Sequence, residues 1–140
     1  IDQDSNGVID VDADDEQIAY RLDNATGALQ KFRVSDDTWQ TVADNISALD
    51  FAYLDPSGTD ITASVIATPA TIYASTNLPF IDSIRSVELS IVARTGRIDK
   101  NFGGTPAYFN QQGAQILAAQ SDNYRKRLIT TTIFCRNLGL

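Results

Sequence analysis

Between residues 86 and 94 the chain runs Ser-Val-Glu-Leu-Ser-Ile-Val-Ala-Arg, and this period-two alternation constrains its fold more than any other feature. Successive side chains of an extended strand point to opposite faces. Val87, Leu89, Ile91 and Ala93 therefore share one side, and Glu88, Ser90, Val92 and Arg94 the other. The first set is read as the face that covers a core. A strand with one apolar face needs hydrogen-bonded neighbours and a covering layer, which predicts a mainly antiparallel sheet.

Other segments repeat the signal. Ile18-Ala19-Tyr20-Arg21-Leu22 alternates, Asn24-Ala25-Thr26-Gly27 supplies turn residues, and the extended pattern resumes from Ala28 to Val34, which predicts a β-hairpin. Leu49, Phe51 and Tyr53 alternate up to an Asp55-Pro56-Ser57-Gly58 turn, predicting a strand over 48–54. Tyr20, Phe51 and Tyr53 are read as core residues. Residues 125–136 carry the β-branched run Ile129-Thr130-Thr131-Thr132-Ile133, whose stiff side chains suit a pleated surface. Such a run on an open edge invites aggregation, so it is expected to be a central or well-paired strand. Residues 39–47 fit a helix or a strand. Residues 59–76 give a weak extended pattern, 77–83 one helical turn, 96–105 a loop, and 108–120 a short helix or a polar connection.

The expected class is α+β and β-rich: a mainly antiparallel sheet with irregular loops and little helix. The 140 residues, 43% of them hydrophobic, suit one domain over 1–140, with 1–16 as an acidic loop segment. No window reaches the roughly eighteen consecutive apolar residues of a membrane-spanning helix.

Missing residue types restrict the chemistry. The chain has no histidine, which rules out imidazole general bases and imidazole metal ligands. Its single cysteine, Cys135, forms no internal disulfide and no CxxC pair, and is read as a packed thiol on a strand. The chain is expected not to be an enzyme. The adjacent carboxylates Asp36 and Asp37 would point to opposite sides of an extended segment, and a polar turn explains them more simply.

Charge is unevenly placed. The formal net charge is −7, and Asp2, Asp4, Asp10, Asp12, Asp14, Asp15 and Glu16 supply seven acids before the first base, Arg21. The remaining acids and bases balance, which argues against a nucleic-acid partner. The one basic run, Arg125-Lys126-Arg127, is expected to alternate sides of a strand and find partners among nearby acids.

The acidic segment also has a spacing with chemical meaning. Asp2, Asp4, Asn6, Gly7, Ile9 and Asp10 fall on the first, third, fifth, sixth, eighth and ninth positions of an EF-hand-like calcium loop. Asp2, Asp4, Asn6 and Asp10 would give side-chain oxygens, Val8 its carbonyl, and Gly7 the sharp turn. Position twelve is Ala13 in place of the bidentate glutamate, so Asp12 or Asp14 would have to substitute. Calcium is thus the candidate cofactor, and a solvated Asx-rich turn is the competing reading.

In order, these segments resemble a known family. DSNGVIDVDADDEQIAYRLDNATGALQKF resembles the acidic loop, Ile-x-Tyr-Arg strand and hairpin of PilW-type minor pilins of the prepilin superfamily. NISALDFAYLDPSG is similar to the next block, IRSVELSIVARTGRID to the following strand, and YRKRLITTTIFCRNLGL to the closing one. The succession carries the resemblance, since no single motif is specific. It implies the soluble head of a type IV pilus subunit, contributing to pilus assembly or the filament tip. The implied location is the cell-surface pilus or the periplasm, after anchoring in the inner membrane. The implied partners are other pilin subunits, with the membrane reached only through an N-terminal helix lacking here or carried by a separate chain. Alternatives are a minor pseudopilin of a type II secretion system, or a calcium-dependent adhesion or carbohydrate-binding module using Trp39 and the tyrosines to stack on sugars.

Overall fold

The computed structural model describes residues 18–33, 38–66 and 83–135. By their contacts the residues gather into two compact units, Ile1–Ser47 and Ala48–Leu140. The architecture is β-rich and antiparallel with little helix, as the alternating patterns require.

In the first unit, β1 (Ile18–Asp23), β2 (Ala28–Arg33) and β3 (Thr38–Ala43) form an antiparallel meander. The predicted hairpin is present, with Asp23 opposite Ala28. Its turn is built by the Asp23 carboxylate, which accepts the Ala25 N–H at 3.0 Å and the Thr26 hydroxyl at 2.7 Å. Gly27 closes the turn at φ 71°, where its N–H reaches the Asp23 carbonyl at 2.7 Å and a β-carbon would be strained. Register places Arg21 opposite Gln30 and Phe32 opposite Trp39, so these side chains share one face. Tyr20 points to the other face and is 51% exposed, contrary to its expected place in a core.

Asn45, at φ 63°, turns the chain from β3 into β4 (Ile46–Leu54). Residues 39–47, open between helix and strand from sequence, are thus a strand, a tight turn and the start of another. In β4, Ile46, Ala48, Ala52 and Leu54 are buried, while Leu49, Phe51 and Tyr53 are half-buried. The predicted turn follows, with the Asp55 carboxylate accepting the N–H groups of Ser57 and Thr59 at 2.8 and 2.9 Å. Where a weak extended segment was expected, α1 (Thr62–Ile66) makes a short helix. Its first turn is favoured by Asp60, whose carboxylate accepts the Thr62 N–H at 2.8 Å.

The second unit, which takes in β4 from Ala48 onward, is built on β4, β5 (Ser86–Arg94) and β8 (Lys126–Phe134), in the order β4-β5-β8. β5 and β8 pair antiparallel without a break from Ser86 opposite Phe134 to Arg94 opposite Lys126. The C-terminal run is therefore a strand, paired along its whole length with β5, but among the described residues it occupies an edge of this sheet and not the centre. Between β5 and β8 lie β6 (Tyr108–Phe109) and β7 (Gln115–Leu117), a small hairpin where sequence left a helix or a connection open.

β5 buries the face opposite to the one its composition suggested. Ser86, Ser90 and Val92 are buried, and Val87, Leu89, Ile91 and Ala93 are only half-buried. The β6–β7 turn explains the inversion, because it reaches Glu88, which shares a face with Ser90 and Val92. Gln112 donates to the Glu88 carboxylate at 2.9 Å and Asn110 to Asp50 at 2.9 Å, while the Tyr108 hydroxyl donates to the Lys126 carbonyl at 3.0 Å. Polar links thus hold the hairpin on the side where β5 carries small serines. Burial follows the covering segment and not the greater hydrophobicity.

Candidate functional site

The proposed calcium ligands Asp2, Asp4, Asn6, Val8 and Asp10 lie outside the described residues, as do Asp36 and Asp37. Among the described residues no three His, Cys, Asp or Glu side chains come together as metal ligands.

Trp39, the candidate sugar platform, is half-buried and already engaged. The Arg21 guanidinium sits 4.0 Å from its ring centroid, held there as its Nε donates to Gln30 Oε1 at 2.8 Å. Phe32 packs beside it at 5.3 Å between centroids, tilted by 39°. The group is a cross-strand cluster with one Trp face covered by a cation. Tyr108 and Tyr124 also have structural partners, the Lys126 carbonyl and the Arg94 guanidinium 4.9 Å from the Tyr124 ring.

Charge converges at one end of the β5–β8 ladder. A cavity of about 260 Å³ opens there, lined by Ala93, Arg94, Thr95, Arg125, Lys126 and Arg127. Arg125 donates through Nε and Nη2 to Asp99 Oδ2 at 2.9 and 2.7 Å and lies over Phe102. That guanidinium, with the Asn101 N–H, holds the Asp99 carboxyl below its ordinary value. Lys126, whose side chain is 1% exposed, pairs with Asp122, whose pKa it lowers in the same way. Two of the three basic residues in the run therefore have the acidic partners expected of them. The arrangement locks the loop between β5 and β8 to the ladder's end, and what it offers chemically is fixed positive charge, with no nucleophile and base in contact.

Among the described residues the surface least accounted for by internal packing is β8. Residues 129–134 are exposed on both faces, with Ile129 at 51%, Ile133 at 52% and Phe134 at 73%. Sequence reasoning missed this surface because a β-branched run reads equally well as a buried strand. The signal that could have found it is the absence of a large apolar set on both faces, since the middle of the run is three consecutive threonines, Thr130 to Thr132. Compared with family models, curated proteins and solved structures, the chain matches none.

Proposed function

We propose that this chain is the head of a PilW-like minor pilin, a non-catalytic structural subunit of a type IV pilus that acts in assembly or at the filament tip. Its partners are other pilin subunits, and its place is the periplasm or the cell surface. The observation that carries the reading, beside the ordered resemblance of segments, is the apolar stripe on one face of β5 and β8. Register sets Val87 opposite Ile133 and Ile91 opposite Ile129, with Leu89 between them. The β5 members are half-buried and both β8 isoleucines are about half exposed. The apolar side of an amphipathic helix laid across the strands would remove this stripe from water, which is the role a pilin's N-terminal helix would have.

The coding sequence upstream of Ile1 tests the reading. It is expected to encode a Gly-Phe-type prepilin cleavage site, a glutamate a few residues later and about twenty apolar residues. A reading frame without such a helix, and without a helix-bearing partner gene beside it, would overturn the assignment.

A further inference from the structure

Beyond Arg127, β8 itself carries none of the sequence devices that normally blunt a sheet edge, and among the described residues no further strand pairs with it. From Leu128 to Cys135 there is no charge, proline or glycine, and the β5–β8 register runs through β8 without a bulge. The direction of its free groups can be read from the ladder. The Thr95 N–H donates to the Arg125 carbonyl at 2.9 Å and the Cys135 N–H to the Arg85 carbonyl at 2.8 Å. Odd-numbered residues of β8 therefore bond toward β5, and by the alternation of an antiparallel ladder Leu128, Thr130, Thr132 and Phe134 direct their N–H and C=O groups outward. At the other end the Tyr108 hydroxyl engages the Lys126 carbonyl, so among the described residues the free edge begins at Leu128.

The sequence of that edge is nearly symmetric about Thr131: Leu128-Ile129-Thr130-Thr131-Thr132-Ile133-Phe134. We propose that β8 is a homodimerisation strand, pairing antiparallel with β8 of a second copy about a two-fold axis at Thr131. In that register Ile129 faces Ile133 of the partner subunit, Thr130 faces Thr132 of the partner subunit, and Leu128 faces Phe134 of the partner subunit. Apolar residues meet apolar ones and threonines meet threonines on both faces, the pairings that stabilise neighbouring strands. The outward groups fall opposite one another and supply about eight hydrogen bonds across the axis. An isologous contact of this kind closes on itself, so two edges protect each other and no fibre grows. This pairing joins sheets edge to edge and leaves the apolar stripe on the face free, so it does not depend on the filament reading.

The test is the mass of the full chain by sedimentation from low to high micromolar concentration, with two variants. The wild type is expected to be a reversible dimer. Thr131→Lys sets two ammonium groups against each other at the axis and should weaken the dimer by about tenfold or more, leaving the melting temperature near that of the monomer because Thr131 is exposed. Thr131→Cys in a Cys135→Ser background should cross-link under mild oxidation, since residues on the axis at such a rung lie about 4.5 Å apart between Cα atoms. Native Cys135 should not cross-link, being roughly 27 Å from its copy. A wild type that stays monomeric, a dimer unaffected by Thr131→Lys, or a dimer in which Thr131→Cys fails to cross-link each overturns the proposal. If Thr131→Lys does not fold, the cross-link decides.

Discussion

Two neighbours on the buried face of β5 should respond to truncation with opposite signs. Val92 is fully buried, so Val92→Ala removes two methyl groups from close contact and should cost roughly 2 kcal/mol in urea unfolding. Ser90 is 1% exposed, and its Oγ has no hydrogen-bond partner among the described residues. A hydroxyl in that state carries a desolvation cost without compensation, so Ser90→Ala should stabilise by about 1 kcal/mol, and a loss of stability would show that the hydroxyl is satisfied after all. Acid acts on a different set of residues. Asp23, Asp55, Asp99 and Asp122 all have pKa values lowered from the ordinary 3.8, for Asp23 first by Thr26, for Asp55 by Ser57, for Asp99 by Arg125 and for Asp122 by Lys126. A carboxyl with a depressed folded pKa stabilises fully above its unfolded value and loses that contribution as pH falls through the folded one. The melting temperature should therefore be level down to about pH 5 and decline below about pH 4. Asp99→Asn keeps an oxygen for the Asn101 N–H but loses the Arg125 ion pair, so its acid decline should be shallower; an unchanged slope would remove Asp99 from the account.

At the scale of elements, several contacts close the loop between β5 and β8, the Asp99 N–H to the Asn123 carbonyl at 2.8 Å among them, and one of them turns on a glycine. Thr105 and Gln120 form an isolated bridge, with N–H to carbonyl distances of 2.8 and 3.1 Å, and Gly104 beside it has φ 131°. A β-carbon there would collide with the Gln120 carbonyl oxygen, a rigid neighbour, in a conformation that side chains rarely adopt. Gly104→Ala should destabilise by roughly 1–3 kcal/mol, with hydrogen exchange rising first at Thr105 and Gln120. Protection at those two amides equal to the wild type would show that the bridge is not among the contacts that close the loop. Such a contact is not written in local sequence, because it joins residues whose only common signal is a glycine. The strands were legible where alternation or β-branching is strong, at β1, β2, β4, β5 and β8. Their placement was not. Leu89 and Ile91 outrank Ser86 and Ser90 in hydrophobicity, yet the serine face is buried because Asn110 and Gln112 fasten a hairpin over it. Likewise Leu128 to Phe134 specify a strand without specifying how many neighbours it has, and the structure puts it on an edge. Of the candidate site, the acid partners of Arg125 and Lys126 were foreseen in kind, but Asp99 lies 26 residues from Arg125 and only the fold selects it.

For the whole molecule, charge and fold are separable. The body from Gln17 onward carries as many acids as bases, and the entire −7 resides in residues 2–16. That imbalance opposes compaction of the segment on itself unless a cation or solvent screens it. The calcium reading makes a definite claim about the cation: oxygens of Asp2, Asp4, Asn6, Asp10 and the Val8 carbonyl converge on one hard ion, with Gly7 allowing the turn. A ligand that binds only the folded state stabilises by mass action, by about 2.7 kcal/mol when its concentration is a hundred times the dissociation constant. Millimolar calcium should then raise the melting temperature, while magnesium at equal ionic strength should raise it less, because the smaller ion dehydrates reluctantly and demands octahedral geometry. Asp4→Ala should abolish the calcium response. General screening of seven acids predicts a different pattern, in which both ions act alike and Asp4→Ala loses only its share of the charge. Equal shifts with calcium and magnesium, or a calcium shift that survives Asp4→Ala, would therefore assign the segment to a solvated acidic turn and remove calcium from the account of this protein.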